Sequence, residues 1–103
     1  DVRFLKNPHY EDFLRTQTGL DADVAEFVRN DEGFAEFSEH LKDMLYSLFP
    51  RYSAEGKSYL TIAIGCTGGR HRSVCVAEEL ATWASKLGER VHLHHRDLEN
   101  LSK

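Results

Sequence analysis

Apolar residues in the first half of this chain recur at helical spacing; in the second half they also run together in short unbroken stretches. Val2-Arg3-Phe4-Leu5 reads as a short strand that stops at the Asn7-Pro8 turn signal. Tyr10 to Arg15 fits one or two helical turns, closed by Gly19. Asp21 stands where an N-cap belongs, ahead of Val24, Phe27 and Val28 at i, i+3, i+4 spacing. A longer helix begins near Asp31 and carries Phe34, Phe37, Leu41, Met44, Leu45 and Leu48 on one stripe that reads as core. Pro50 is expected to end or kink it, and Ser53–Lys57, with Gly56, reads as a connecting turn.

The second half predicts a different element order. Tyr59–Gly65 is nearly continuous apolar sequence, β-branched at Thr61, Ile62 and Ile64, as in a strand buried on both faces of a parallel sheet. The glycine-bearing loop Cys66–Ser73 follows. A helix over 72–87 then turns Val74, Ala77, Leu80, Ala81, Ala84 and Leu87 inward and Glu78 and Glu79 outward, with Gly88 at its C-terminal stop. Val91–His95 reads as the next strand. Strand, loop, helix and strand make a βαβ unit, which should be right-handed. The expected class is therefore α/β: one domain over residues 1–103, with a mostly parallel sheet flanked by helices.

Composition narrows the picture. A chain of 103 residues has the length of one domain, and 41% hydrophobic residues argue against disorder. No apolar run approaches the ~18 residues of a membrane span, and Asp1–Tyr10 lacks the apolar stretch of a signal peptide. Two cysteines do not form a disulfide framework, which favours a reducing, cytoplasmic setting. A net charge of −4 argues against a generally basic nucleic-acid binder but not against a local basic patch. The abrupt opening on an apparent strand suggests a piece of a longer chain.

Cys66-Thr67-Gly68-Gly69-Arg70-His71-Arg72-Ser73 lies where open α/β sheets bind ligands, between a strand's carboxyl end and a helix. Gly68 and Gly69 let the backbone approach a guest closely, and the helix N-terminus offers unpaired N–H groups and a positive dipole end. Arg70, His71 and Arg72 add cationic donors, Arg72 with a fork suited to phosphate or carboxylate, while Thr67 and Ser73 add hydroxyls. The segment is not a Walker loop, since no G-x-x-x-x-G-K-[ST] occurs. It does satisfy the C-x-x-G-x-x-R-S pattern of cysteine-dependent phosphatases, in which a thiolate attacks phosphorus and an arginine holds the oxygens. On that alternative Cys66 is the nucleophile, Arg72 the oxygen clamp, and Asp97 or Asp1 the acid; Gly65 replaces the His that those enzymes carry before the cysteine.

The other candidates have plainer readings. His92, His94 and His95 lack the spacing of a zinc site, so no metal and no cofactor is expected. His94 and Arg96 are expected to add positive charge at the rim of the loop. His95-Arg96-Asp97 is not a kinase motif, because no D-F-G accompanies it. Cys75 reads as a small packed hydrophobe. Trp83, with Val76 and Leu80, is expected to pack on a neighbouring element or subunit, which is compatible with a homo-oligomer.

Ser58–Val74, with the highly specific string Ile64-Gly65-Cys66-Thr67-Gly68-Gly69-Arg70-His71-Arg72-Ser73-Val74, resembles the C-terminal domain of the RapZ family. So do the opening Asp1–Tyr10, the Thr18-Gly19-Leu20-Asp21 turn and the closing His94–Glu99, in the same order. The resemblance implies a phosphofructokinase-like α/β subdomain with its anion-binding loop between strand 59–65 and helix 72–87. It also implies an N-terminal P-loop domain outside this chain, to which nucleotide binding and hydrolysis would belong. By resemblance the chain is a regulatory, non-catalytic module that binds a phosphorylated amino sugar such as glucosamine-6-phosphate, or another small anion. It would couple this to small regulatory RNA and a ribonuclease as an RNase adapter. The implied ligand-binding residues are Asp1, His9, Cys66, Thr67, Gly68, Gly69, His71 and Arg72, with Arg70, Ser73, His94 and Arg96 at the rim. RNA-binding members end in a strongly basic tail, whereas this chain closes Asp97-Leu98-Glu99-Asn100-Leu101-Ser102-Lys103. Each Lys or Arg missing there removes part of the phosphate attraction that dominates RNA affinity.

Overall fold

In a computed structural model that describes residues 1–56 and 59–101, the chain folds as four α-helices joined by turns and extended segments. They are α1 (Ala22–Arg29), α2 (Phe34–Ala54), α3 (Arg72–Lys86) and α4 (Arg96–Leu101), preceded by a 3-10 turn at Pro8–Tyr10. Among the described residues no helix is long and apolar enough to cross a membrane.

The described residues contain no strand, so the expected parallel sheet and its βαβ unit are absent. A strand is completed by a neighbour's hydrogen bonds, and β-branched apolar sequence supplies only the propensity. Among the described residues, the one backbone hydrogen bond joining 59–65 to another segment runs from Val2 N–H to the Gly65 carbonyl, at 2.8 Å. Tyr59, Leu60 and Ile62 are exposed, as is Leu93 in 91–95. Val2–Leu5 is likewise a turn, closed by Leu5 N–H on the Val2 carbonyl. Lys57, the end of the expected 53–57 turn, lies outside the described residues, as do Ser58, Ser102 and Lys103.

The helices follow their periodicity more closely. Val24 and Val28 of α1 are wholly buried, each worth about 1.5–3 kcal/mol of transfer free energy. Asp21 holds the N-cap position, but its Oδ2 accepts the Thr18 N–H and so fixes the preceding turn. Asp31 bridges two segments, taking the Lys6 N–H on Oδ2 and the Gly33 N–H on Oδ1, both at 2.8 Å. Pro50 does not end α2, which runs on to Ala54. The Tyr46 carbonyl that loses its partner lies on an exposed residue, where water can hydrate it. At 21 residues α2 is about 30 Å long and outreaches its neighbours. Phe34 and Leu45 of its stripe are buried, whereas Met44 is exposed.

Helix α3 ends in a Schellman motif: Glu89 N–H bonds the Ala84 carbonyl, Gly88 N–H bonds that of Ser85, and Gly88 has φ 95°. Leu87, expected inward, is the C-cap residue and is exposed. Glu79, expected outward, is turned into a half-buried junction of three helices. It accepts the Ser38 hydroxyl at 2.8 Å and meets Arg29 and Lys42 at 3.5 and 3.6 Å. Trp83 packs on Phe49 of α2, ring centroids 5.9 Å apart. The core itself gathers Val2, Leu5, Leu14, Val24, Val28, Phe34, Cys75 and Val76 beneath the first turns of α3. That is the end of the helix that carries the Cys66–Ser73 loop.

Candidate functional site

Five long-range hydrogen-bond contacts tie the N-terminal segments to the loop and the start of α3. Val2 N–H meets the Gly65 carbonyl, and Gly19 N–H meets that of Arg70, each at 2.8 Å. His71 Nε2 lies 2.7 Å from the Gln17 carbonyl, and Arg72 Nη1 donates to the carbonyls of Arg3 and Leu5 at 2.7 and 3.1 Å. Gly19 is pressed so closely on α3 that a Cβ there would lie 2.6 Å from Cys75 N and 2.7 Å from Val74 Cβ. Only a glycine fits that contact.

The loop turns on two glycines in the left-handed region, Gly68 at φ 80° and Gly69 at φ 66°. This reversal leaves Thr67 and Gly68 exposed and brings Cys66 back over the helix start. Cys66 Sγ receives the Ser73 N–H at 3.3 Å and lies 3.2 Å from the Ser73 hydroxyl. Burial alone would hold this thiol protonated. The Ser73 hydroxyl, the Ser73 and Gly69 amides and the Arg72 charge together outweigh burial, and its pKa falls below the ordinary thiol value. Burial also lowers the pKa of His71, helped by the nearby charges of Arg70 and His9, against raising hydrogen bonds to the Gln17 and Arg15 carbonyls.

The eight residues assigned by resemblance occupy distinct environments. Cys66, Gly69 and Arg72 form one cluster with Ser73, Thr67 and Gly68 make its outer lip, and His71 is turned instead to the Gln17 and Arg15 carbonyls. His9 is exposed, within electrostatic reach of His71, and its ring packs edge-on against Tyr10. The Asp1 carboxylate is held by Arg3, whose Nε lies 2.9 Å from each of its oxygens. Arg72, expected to grip a guest with its fork, is only 4% exposed and latches two main-chain carbonyls. Of the rim residues, Ser73 is buried beneath the loop, Arg70 is half-buried and Arg96 is exposed. His95 bonds Glu78 at 3.2 Å. Among the described residues no group of three or more His, Cys, Asp and Glu side chains is arranged to hold a metal ion.

Two guanidinium Nε groups, of Arg70 and Arg72, are buried without a hydrogen-bond partner among the described residues. Buried donors are normally paired, and leaving a charged one unpaired costs more than the 1–3 kcal/mol or so of a neutral group. Sequence reasoning missed the latch partners Arg3, Leu5 and Gln17, because they act through carbonyls that every residue type possesses. It read Gly19 as a helix stop and as part of the Thr18–Asp21 turn, without its contact on α3. The Thr18-Gly19-Leu20-Asp21 turn held the available signal, a glycine between polar residues where the chain must pass close to another backbone.

Comparison with known proteins places this geometry in context. The sequence profile of one family, described as the RapZ C-terminal domain, matches residues 1–99. Similar proteins include a nucleotide-binding protein of Rhodospirillum rubrum, 59% identical over 96% of this chain and 31% of the relative. One from Paramagnetospirillum magneticum is 56% identical over 96% of the chain and 32% of the relative, and one from Rubrobacter xylanophilus 53% identical over 97% and 34%. The chain thus spans about a third of the length of these relatives.

Proposed function

This chain belongs to the RapZ C-terminal domain family, and from that premise we propose that it is a regulatory module that binds a phosphorylated amino sugar of the glucosamine-6-phosphate kind on the Cys66–Arg72 loop. The observation that carries the reading is the geometry of this corner: the Gly68–Gly69 reversal brings the Cys66 sulfur to 3.3 Å from the Ser73 N–H and 3.2 Å from its hydroxyl, surroundings that also lower the thiol's pKa. The same amides, dipole end and guanidinium charges favour an anion, and the Nε groups of Arg70 and Arg72, buried without a partner among the described residues, add to the positive field there. Thr67 and Gly68, exposed, form the face a phosphate would approach. Arg72 acts mainly by charge and by holding Arg3–Leu5 against α3.

Occupancy of the loop would then alter engagement of small regulatory RNA and a ribonuclease by the longer protein. The relatives are named nucleotide-binding proteins, and we assign that property to segments outside these 103 residues, since this sequence has no P-loop string. Calorimetry with thermal melting tests the ligand. Glucosamine-6-phosphate at a hundredfold excess over its Kd should stabilise the chain by about 2.7 kcal/mol, while glucosamine leaves the melt unchanged. Arg70→Gln should weaken the binding. A sugar phosphate that binds no tighter than inorganic phosphate would remove sugar recognition from the account.

The Cys66 thiol also favours a second reading, a cysteine-dependent phosphatase. Its sulfur would attack phosphorus as the ester oxygen leaves with a proton from Asp97 or water, and water would then release phosphate. Hydrolysis of an aryl phosphate that disappears in Cys66→Ser supports it, and equal rates for both proteins exclude it.

A further inference from the structure

The loop that favours an anion has a carboxylate against its inner edge. Asp97, in the first turn of α4, lies so close to Gly69 that a Cβ on Gly69 would overlap its Oδ2 and stand 2.8 Å from its Cγ. Gly69 is thus fixed twice over, by its φ of 66° and by Asp97. Among the described residues the hydrogen-bond donor to this carboxylate is Arg96 Nη2, at a long 3.4 Å on an exposed side chain. Asp1 offers a contrast: Arg3 donates to both of its oxygens through Nε and again through Nη2. Of the two, Asp97 retains acceptor capacity, and its side chain is two-thirds buried at the loop.

A bare phosphate entering this corner would meet the guanidinium groups and amides on one side and a like charge on the other. A guest with an ammonium or hydroxyl donor close to its phosphate would satisfy both. We propose that Asp97 is the specificity-determining residue of the site, accepting a hydrogen bond from a cationic or hydroxyl group of the ligand and disfavouring anions that lack one. This rests on the anion-binding reading of the Cys66–Arg72 loop and adds to it the residue that would discriminate among phosphate esters, by the donor a guest carries a few bonds from phosphorus. In the binding module Asp97 selects and orients the guest.

Titration of the wild-type chain and Asp97→Asn with glucosamine-6-phosphate, glucose-6-phosphate and inorganic phosphate tests this at constant pH and ionic strength. A charge-assisted hydrogen bond predicts that wild type prefers the amino sugar phosphate to glucose-6-phosphate by about tenfold or more. In Asp97→Asn the preference should collapse, while inorganic phosphate binds as well or better. Asp97→Glu, which keeps the charge, should retain part of the preference. A preference undiminished in Asp97→Asn overturns the proposal. So does equal tightening of all three ligands, which would make Asp97 an internal competitor for the loop. Wild type binding none of the three would instead defeat the anion-binding reading beneath it.

Discussion

Cys66 and Cys75 stand nine positions apart, one at the mouth of the loop and one inside α3, and their surroundings treat charge in opposite ways. Cys75 is buried at 1% exposure among apolar side chains, and desolvation pushes its thiol up to about 11. Cys66 is half-buried, yet its thiol goes down, because two amides, a hydroxyl and a guanidinium converge on the sulfur. The difference teaches where this molecule tolerates negative charge. Where the loop meets α3 the surroundings favour a thiolate, and inside the helix burial disfavours one.

The contrast depends on the N-terminal segments being held against α3, so the largest effects should come from breaking that hold. Arg72→Met removes a donor from the Arg3 and Leu5 carbonyls and should cost about 3 kcal/mol in urea unfolding, with the Cys66 thiol returning toward its ordinary value. Gly19→Ala forces a methyl into the backbone of α3 and should cost about 1–3 kcal/mol by the same measurement. Ser73→Ala removes the hydroxyl but keeps the amide; its cost is about 1 kcal/mol, and alkylation of Cys66 near neutral pH should slow. Cys75 should react alike in wild type and Ser73→Ala.

The smallest effect is a pH dependence. His71 has a lower pKa in the fold than its ordinary 6.5, so below that pH the unfolded chain binds the extra proton first. Its contribution to stability is fully present above about 6.5 and is lost as pH falls from there through its depressed folded value. Melts at descending pH should show this slope, and His71→Gln, which keeps a donor for the Gln17 carbonyl, should flatten it. An unchanged slope in the variant would assign it to other groups.

Much of the candidate site was legible in the sequence because it depends on residue types with special chemistry. Gly68 and Gly69 announced a reversal, Val74 to Ala84 announced a helix, and Cys66 and Arg72 announced a charged corner between them. The role of Arg72 as a latch was not legible, since its acceptors are main-chain carbonyls. The sheet was misread for a related reason. Tyr59–Gly65 has the composition of a buried strand, but pairing is a property of two segments, and within the described residues only Val2 bonds to it. Of the two outcomes expected at Pro50, an end or a kink, the end does not occur, because the exposed carbonyl that loses its hydrogen bond can regain one from water. Asp97 could be nominated from its residue type, but its contact with Gly69 spans segments that no local pattern connects.

The most direct test of the charge-stabilising corner is the pH profile of iodoacetamide alkylation at each cysteine, read by peptide mass spectrometry with and without glucosamine-6-phosphate. Cys66 should alkylate with a midpoint below the ordinary thiol value, at least about a hundredfold faster than Cys75 near neutral pH, and the sugar phosphate should slow Cys66 alone. A Cys66 midpoint at or above the ordinary value, with no protection by the ligand, would contradict the account.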